Sequence, residues 1–384
     1  MPGASSFLAT AARGTEPILA RELRALGASG VHEEPGAVAW EGTEALGWRA
    51  NLWLRTANHV LLRLASFPAA STDELYAGAR AVPWEDRLTV RSTFAVTVQG
   101  RTAGIDHTHF AALRIKDAIA DRLRERLGAR PDVDPRDPAV RVVAHVSPRG
   151  VSLFLDTSGE SLHIRGYRAV ETAAPLRETL AAAIVLWSGW DRRRPLRDPL
   201  CGSGTIVIEA ALLALGRAPG RRRRFGFQRW PSFGEAETDE WRRLLEEADD
   251  RERAASAAAT MLVGEDRDRA AVDAARSNAQ AASVAEHVRF EQADARSFAP
   301  EEPSGMVICN PPYGERLAPG RGTLEALYRA LGRSLRRPGW VTIVLSGNPA
   351  LPRLFGGRPA ARLPLRNGAL RCELLRWETR ETRD

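Results

Sequence analysis

Apolar and polar residues alternate in short runs over the first 66 residues, and two stretches of helical spacing interrupt them. The alternation predicts strands, and the helical spacing predicts amphipathic helices. We expect the Thr15 side chain to cap the first helix and Gly27 to end it. The predicted order is a strand at 5–12, a helix from Thr15 to Gly27, a hairpin over Val31–Trp40 turning at Pro35-Gly36, a helix over Thr43–Arg55 and a strand over His59–Leu64. This order is that of a ferredoxin-like module, which we assign to residues 1–66.

A second unit with the same mixed pattern is predicted over residues 67–165. Its elements are a strand at Phe94–Val98, a helix over His109–Leu127, a hairpin formed by 141–146 and 151–156, and a short strand over Leu162–Tyr167. The helix carries five basic side chains, Arg114, Lys116, Arg122, Arg124 and Arg126. Such a face suits the phosphate backbone of RNA, and it equally suits water. The helix pattern alone leaves both interpretations open.

From residue 166 onward, apolar runs of strand length alternate with helical stretches, which is typical of a parallel sheet covered by helices. A strongly apolar helix opens this region at 175–187, and a basic and aromatic insertion interrupts it at 216–258. The predicted strands lie at Leu196–Asp198, Met261–Asp266, Val288–Gln292, Met306–Cys309, Val341–Leu345 and Leu370–Trp377. We therefore expect a third domain over 166–384, with its boundary near Gly166.

The composition narrows the classes of protein that fit this pattern. The 384 residues carry a net charge of +7, which suggests a polyanionic partner. No apolar run is long enough to span a membrane and the start lacks the features of a signal peptide, so a cytoplasmic location is expected. Three widely spaced cysteines indicate neither a disulfide framework nor a zinc site. His107 and His109 lack a third ligand, so we predict no metal.

A glycine-rich turn follows the first strand of the third domain, in the segment Asp198-Pro-Leu-Cys-Gly-Ser-Gly-Thr205. Gly202 and Gly204 remove side chains where a ligand must approach, and the amide groups of the turn face that ligand. The segment is neither a G-x-G-x-x-G motif nor a Walker loop. These differences argue against NAD and ATP as ligands.

Carboxylates also stand at the ends of the next two strands. Asp266 follows the second strand and is placed to take both hydroxyls of a ribose. Asp268 is the expected cap of the next helix. Asp294 follows the third strand, and its carboxylate can accept from an adenine amino group. A structural role for each of these residues remains an alternative.

The fourth strand ends in Asn310-Pro-Pro-Tyr313. The two prolines forbid helix and ladder hydrogen bonds, so we expect the Tyr313 ring to project from a stiff turn. The Asn310 oxygen and a neighbouring backbone carbonyl can accept from an exocyclic amine of a nucleobase, which makes the nitrogen more nucleophilic, while the tyrosine stacks on the base. A rigid turn without catalytic meaning is the alternative.

The insertion contains the best candidate for contact with RNA. Four consecutive arginines, 221–224, stand beside Phe225, Phe227 and Trp230. Arginines attract phosphates and aromatic rings stack on bases. A solvated basic loop would have the same sequence.

Taken together, the glycine-rich turn, Asp266, Asp294 and Asn310–Arg316 resemble class I S-adenosylmethionine-dependent methyltransferases that modify exocyclic amines. Ala12-Arg13-Gly14, His163–Arg168 and Leu176–Ala182 extend the likeness to THUMP-containing RNA guanine-N2-methyltransferases, closest to the 23S rRNA family in its single-methyltransferase-domain form. The resemblance implies an α/β fold: a Rossmann-like class I methyltransferase domain, with a mostly parallel seven-stranded sheet, preceded by α+β ferredoxin-like and THUMP domains.

The resemblance also implies roles for residues. Asn310, Pro311, Pro312 and Tyr313 are the catalytic candidates. The candidates for binding S-adenosyl-L-methionine are Asp198, Leu200, Cys201, Gly202, Ser203, Gly204, Asp266, Arg267, Asp294, Ala295 and Asn310. Candidate RNA contacts are Arg165, Arg168, Arg222, Arg223, Arg224 and Phe227.

The expected reaction is attack by the N2 of a flipped guanine on the cofactor's methyl group. The substrate expected from the resemblance is 23S rRNA, with no membrane or metal involved. A tRNA guanine-N2 enzyme, an adenine-N6 DNA methyltransferase and a non-catalytic RNA-binding assembly factor are the alternatives.

Overall fold

The computed structural model describes residues 4–169, 176–255, 261–314 and 321–379. The elements of its first part are β1 (Ser5–Ala11), α1 (Glu16–Ala25), β2 (Ser29–Glu34), β3 (Ala37–Gly42), α2 (Glu44–Trp53), β4 (Ala57–Phe67), α3 (Thr72–Ala81), β5 (Thr93–Gly100), α4 (Thr108–Leu127), β6 (Asp132–Val133), β7 (Val140–Ser147) and β8 (Gly150–Asp156). The predicted order of the first module, from β1 to β4, is confirmed.

The elements of the second part are α5 (Glu178–Trp187), β9 (Leu196–Asp198), α6 (Thr205–Ala214), α7 (Glu235–Ala254), β10 (Leu262–Asp266), α8 (Arg269–Ala281), β11 (Arg289–Gln292), β12 (Gly305–Cys309), α9 (Arg321–Leu335), β13 (Trp340–Ser346), α10 (Leu351–Phe355), β14 (Ala361–Asn367) and β15 (Leu370–Glu378). None of the helices in the described ranges is both long and apolar enough to cross a membrane.

The first two modules share a single eight-stranded sheet with the order β2-β3-β1-β4-β8-β7-β5-β6. Strands β4 and β8 pair antiparallel and join the modules, with Leu62 opposite Leu155. Helices α1 to α4 supply buried side chains to one continuous core against this sheet. The N-terminal modules therefore form a continuous platform rather than two separate bodies.

The third domain contains a seven-stranded sheet with the order β11-β10-β9-β12-β13-β15-β14. Strands β9 to β13 run parallel, and β15 is antiparallel to both of its neighbours. This confirms the mostly parallel seven-stranded sheet. Because parallel strands end at the same edge, the residues that follow β9, β10, β11, β12 and β13 lie along one border of the sheet.

Two local predictions were wrong. The Thr15 hydroxyl donates to the Ala12 carbonyl and makes no capping bond to a helix amide. Residues Leu162–Tyr167 form turns instead of a strand. The Arg165 guanidinium donates back to the Leu162 carbonyl at 2.6 Å, and Gly166 has φ of +86°, so the chain cannot continue as extended backbone there.

The insertion packs into the core of the N-terminal platform. Phe225, Phe227 and Trp230 are all buried, and Phe227 stacks on Trp48 of α2 with a centroid separation of 5.5 Å. Arg49 of α2 forms an ion pair with Glu247 of α7. The insertion therefore fastens the catalytic domain to the platform, and its aromatic rings are withdrawn from any base. This is a correction to the predicted stacking surface.

Two adjacent arginines of the insertion give a matched test of this fastening role. The Arg223 guanidinium donates to the carbonyls of Glu160, Ser161 and Ile164, and burial lowers its pKa to about 10. Arg224 is exposed, with no acceptor among the described residues. We expect Arg223→Gln to lower the free energy of unfolding by about 2 kcal/mol, because charge-assisted hydrogen bonds to three main-chain carbonyls are lost. Arg224→Gln should leave denaturant midpoints unchanged; equal midpoints for the two variants would contradict the fastening role.

The platform also touches the far edge of the catalytic sheet. Gly14, in the loop after β1, has φ of +93°, and a Cβ there would lie 2.2 Å from the Pro364 carbonyl oxygen of β14. The Arg366 amide donates to the Arg13 carbonyl at 2.8 Å. Only glycine allows so close an approach of the two backbones.

Candidate active site

Asp198 ends β9 and is 1% exposed. Its Oδ1 accepts from the Leu200 amide at 3.1 Å, which bends the chain into the glycine-rich turn. Burial raises the pKa of the Asp198 carboxyl well above its usual value, and the nearby Asp266 adds to the effect. The thiol of Cys201 is also buried, and burial raises its pKa.

The glycine-rich turn places backbone amides at the carboxyl edge of the sheet, directly before α6. Gly204 has φ of +81°, and a Cβ there would come within 2.8 Å of the Phe290 ring. Gly202 also has positive φ, but a Cβ there would meet nothing within 4 Å. The open space beside Gly202 is therefore the side from which a ligand can approach the backbone of the turn.

Asp266 connects the ends of the first two strands. Its Oδ2 accepts from the Gly202 amide at 3.0 Å and its Oδ1 accepts from the Asp268 amide at 2.9 Å. Asp268 caps α8 through the Ala270 amide, as predicted. The adjacent Arg267 is exposed, and its carbonyl accepts from Gln292 at the end of β11. Each Asp266 oxygen has a second lone pair, so the carboxylate can hold the turn and still accept from a ligand.

Asp294 follows β11 and caps a short turn of 3₁₀ helix through the Arg296 amide. Both carboxylate oxygens also accept from the Arg296 guanidinium, which lowers the pKa of Asp294. The neighbouring Ala295 is buried. An adenine amino group at Asp294 would have to share the carboxylate with Arg296.

Asn310 follows β12 and is half-buried at the same edge of the sheet. Its Oδ1 accepts from the Tyr313 hydroxyl at 2.5 Å. Pro311 is buried, and Pro312 presents its carbonyl to the Tyr328 hydroxyl of α9 at 2.7 Å. No donor among the described residues reaches the Pro311 carbonyl. Asn310 and Pro311 thus keep acceptor capacity at the strand end.

The Tyr313 ring does not project from the turn, which corrects the sequence prediction. It is half-buried against Gly347, directly after β13, where a Cβ would lie 2.8 Å from the ring. The Asn348 amide group donates to the Tyr313 carbonyl at 3.2 Å. Gly347 and Asn348 were missed from the sequence, because nothing near them along the chain shows that they meet Tyr313.

The candidate RNA contacts divide by burial. Arg165 is 5% exposed and donates to the carbonyls of Leu162 and Arg55, and Arg168 pairs with Glu178 at 2.9 Å. Arg165, Arg223 and the fully buried Phe227 make contacts between the domains, whereas the Arg168 partners Leu176 and Glu178 lie within the catalytic domain. Arg222 and Arg224 are exposed, although Arg222 donates to Ala281 and Ser283.

The basic face of α4 is largely neutralised. Each of its five basic side chains has a carboxylate within 4 Å: Arg114 has Asp73, Lys116 has Asp117, Arg124 has Asp121, and Arg122 and Arg126 share Glu85. The described residues contain no cluster of side chains able to hold a metal ion.

The sheet order and the row of residues along its carboxyl edge define a class I S-adenosylmethionine-dependent methyltransferase domain. The residues fit that cofactor: the glycine-rich turn has open space beside Gly202, and acidic side chains stand at the ends of the first two strands. The Asn-Pro-Pro-Tyr segment borders the same edge.

Comparison with protein families narrows this class. Residues 165–376 match a methyltransferase-domain family described as RMKL-like. Residues 6–61 match a ferredoxin-like domain described as that of RlmL, and residues 69–156 match the THUMP domain. The chain belongs to the RMKL-like methyltransferase family, with a ferredoxin-like and a THUMP domain before the catalytic domain.

Individual relatives agree with this assignment. The chain is 45% identical to a ribosomal RNA large subunit methyltransferase K/L of Syntrophotalea carbinolica, with 98% of this chain and 54% of that protein covered. It is 40% identical to a Synechocystis protein named as an RNA methyltransferase, slr0064, over 98% of this chain and all of that one. The crystal structure of SMU.472 complexed with SAH superposes with a TM-score of 0.90 at 31% identity, over the full length of both chains. The chain spans about half the length of the K/L relatives it matches.

Proposed function

We propose that this protein transfers a methyl group to the exocyclic N2 of a guanine in 23S rRNA. The observation that carries the proposal is the position of Asn310 at the end of β12, on the same sheet edge as the glycine-rich turn and Asp266. Amine acceptor groups and cofactor-binding groups converge there.

The proposed binding of S-adenosyl-L-methionine uses the residues of the first three strand ends. Asp198 and the turn Cys201–Gly204 hold the methionine end, Asp266 holds the ribose, and Asp294 faces the adenine. When bound, the cofactor supplies an electrophilic methyl group. Gly202 leaves room for it on the open side of the turn, whereas Gly204 leaves room for the Phe290 ring behind the turn.

Asn310 and Pro311 orient the target amine. Oδ1 of Asn310 and the Pro311 carbonyl each accept one N–H bond of the amine, which localises the nitrogen lone pair that an aromatic ring would otherwise draw away. Oδ1 has two lone pairs, so it can accept from the amine while it still accepts from Tyr313. Most of the rate enhancement then comes from orientation and proximity.

The Tyr313 hydroxyl acts as a donor in this arrangement. Burial raises the pKa of Tyr313 well above its usual value, and the nearby Cys372 thiol adds to the effect. The hydroxyl therefore stays protonated near neutral pH and fixes the rotamer of Asn310. No general base is required, because the amine becomes a strong acid once it is methylated and then releases its proton to water.

The choice of RNA rests on the N-terminal platform and on the relatives. The chain contains a THUMP domain, and the K/L relatives are named for the large-subunit ribosomal RNA. The net charge of +7 suits a polyanion.

The substrate is tested with RNA from a strain that lacks the gene for this protein. We expect purified protein and radiolabelled S-adenosylmethionine to label 23S rRNA from that strain, and to label the same RNA from the parent strain much less, because the site there is already methylated. Purified tRNA serves as the competing acceptor. Labelling of tRNA with none in 23S rRNA would overturn the substrate assignment.

A further inference from the structure

A cleft of about 800 Å³ lies between the N-terminal platform and the β14–β15 hairpin. Arg13 and Gly14 line it from the platform, and Gly347 and Asn348 line it from the end of β13. Because Gly347 and Asn348 also contact Tyr313, the cleft opens beside the candidate active site.

The cleft is strongly basic. Its charged side chains are Arg13, Arg362, Arg366, Arg371 and Glu373. Glu373 is within 3.4 Å of Arg362. The other three arginines have no carboxylate within ion-pair distance among the described residues, unlike the five basic side chains of α4. Three positive charges therefore remain uncompensated beside the active site.

Two of these arginines are held in a pairing that is unfavourable on its own. Arg366 and Arg371 are directly opposite each other on β14 and β15, so their side chains leave the same face of the hairpin. Like charges in this position destabilise a hairpin unless an anion lies between them. Neither guanidinium is buried, so both can reach a bound group.

Arg13 is fixed next to this pair by the contact between the domains. The Arg366 amide donates to the Arg13 carbonyl, and Gly14 packs against Pro364 with no space for a side chain. The loop after β1 therefore delivers a third guanidinium from the platform to a hairpin of the catalytic domain. The spacing of the charges is set by backbone contacts and not by flexible side chains alone.

We propose that Arg13, Arg366 and Arg371 bind the phosphates of the RNA strand next to the methylated nucleotide. The inference rests on the proposed function and adds the path of the substrate to it. Guanidinium groups match phosphate oxygens in geometry and charge. Contacts to the backbone position RNA without reading its sequence, so this cleft sets the register in which one base reaches Asn310.

The test uses the full-length protein with Arg13→Gln, Arg366→Gln and Arg371→Gln, singly and combined. Arg193→Gln is the matched control. Arg193 is exposed in the turn before β9, at the amino-terminal ends of the parallel strands and away from their carboxyl ends. The probe is protein-free 23S rRNA from the strain that lacks the gene, and filter binding gives Kd over a series of KCl concentrations. Calorimetry with SAH monitors the cofactor site.

We expect the triple variant to raise Kd for RNA about tenfold or more and to reduce the slope of log Kd against log salt by about 2, because roughly 0.7 counterion is released per single-strand phosphate contact. The KM for RNA should rise with Kd, with SAH affinity unchanged. The exposed single variants Arg13→Gln and Arg371→Gln should also raise Kd for RNA, by a smaller factor. If the triple variant does not fold, these single variants test the proposed phosphate contacts.

Wild-type Kd and salt slope in these variants would overturn the inference, and so would an equal effect of Arg193→Gln. These outcomes differ from failure of the proposed function, which would appear as wild-type protein that binds RNA through the cleft and transfers no methyl group to it.

Discussion

Replacing Asn310 with alanine should lower kcat for methyl transfer by roughly 100-fold or more, because a fixed polar group that acts on charge developing in the transition state is lost. Asn310 stands at the carboxyl end of β12, where its Oδ1 is held by the Tyr313 hydroxyl. Alanine leaves that position without an acceptor. Affinity for SAH should change little, since the glycine-rich turn and Asp266 remain. Single-turnover kinetics with saturating RNA measures the loss, and calorimetry measures SAH binding.

Tyr313→Phe is the matched control for this variant. It keeps the ring against Gly347 and removes only the hydroxyl that orients Asn310. We expect it to retain much more activity than Asn310→Ala, because the acceptor oxygen is still present. An Asn310→Ala protein with normal kcat would remove Asn310 from the mechanism.

Replacing Asp266 with alanine should weaken SAH binding about 10- to 100-fold, because charge-assisted hydrogen bonds contribute about 1.5–3 kcal/mol each. The carboxylate accepts from the Gly202 and Asp268 amides and, in the proposed complex, from the ribose. The SAH affinity of Asp266→Asn should lie between those of the wild-type protein and Asp266→Ala, since one side-chain oxygen can still accept from the Gly202 amide. Isothermal calorimetry gives the affinities directly.

Asp268→Ala separates a cofactor contact from a structural one. Asp268 caps α8 through the Ala270 amide, so its loss should lower the free energy of unfolding by about 1 kcal/mol with little change in SAH affinity. If Asp266→Ala bound SAH as tightly as the wild-type protein, the assignment of the ribose to Asp266 would be wrong.

The sequence predicted the features that depend on neighbouring residues. The order from β1 to β4 follows from local periodicity, and the turn at Pro35-Gly36 follows from the dipeptide itself, because proline and glycine favour turns. The strand ends at Asp198, Asp266 and Asn310 were also predicted, because an apolar run that stops at a polar residue is a local signal.

Features that depend on distant contacts were not predicted. Strands β4 and β8 pair residues that are about one hundred positions apart, and no local sequence pattern predicts this pairing. The alternation of Leu162–Tyr167 is typical of a strand, yet the contact of Arg165 with the Leu162 carbonyl closes a turn. Phe227 illustrates the same limit, because a ring beside arginines suits RNA or a core, and only the docking of the insertion on α2 decides between them.

The residues assigned to RNA contact differ most between the sequence prediction and the structure. Within the arginine run at 221–224, Arg223 bonds to Ser161 outside the catalytic domain and Arg221 pairs with Asp249 inside the insertion. Arg13, Arg366 and Arg371, in contrast, come from distant parts of the chain and meet only in the fold. Basic side chains that are scattered along a sequence leave no composition signal, so this cleft could be found only from the structure.

The most direct test of the proposed chemistry is the identity of the methylated nucleoside. Purified protein is incubated with methyl-deuterated S-adenosylmethionine and 23S rRNA from the strain that lacks the gene, and the RNA is digested to nucleosides for mass spectrometry. We predict that the deuterated methyl group appears in N2-methylguanosine and that Asn310→Ala removes the signal. Label in N6-methyladenosine, or no label in RNA, would contradict the proposal.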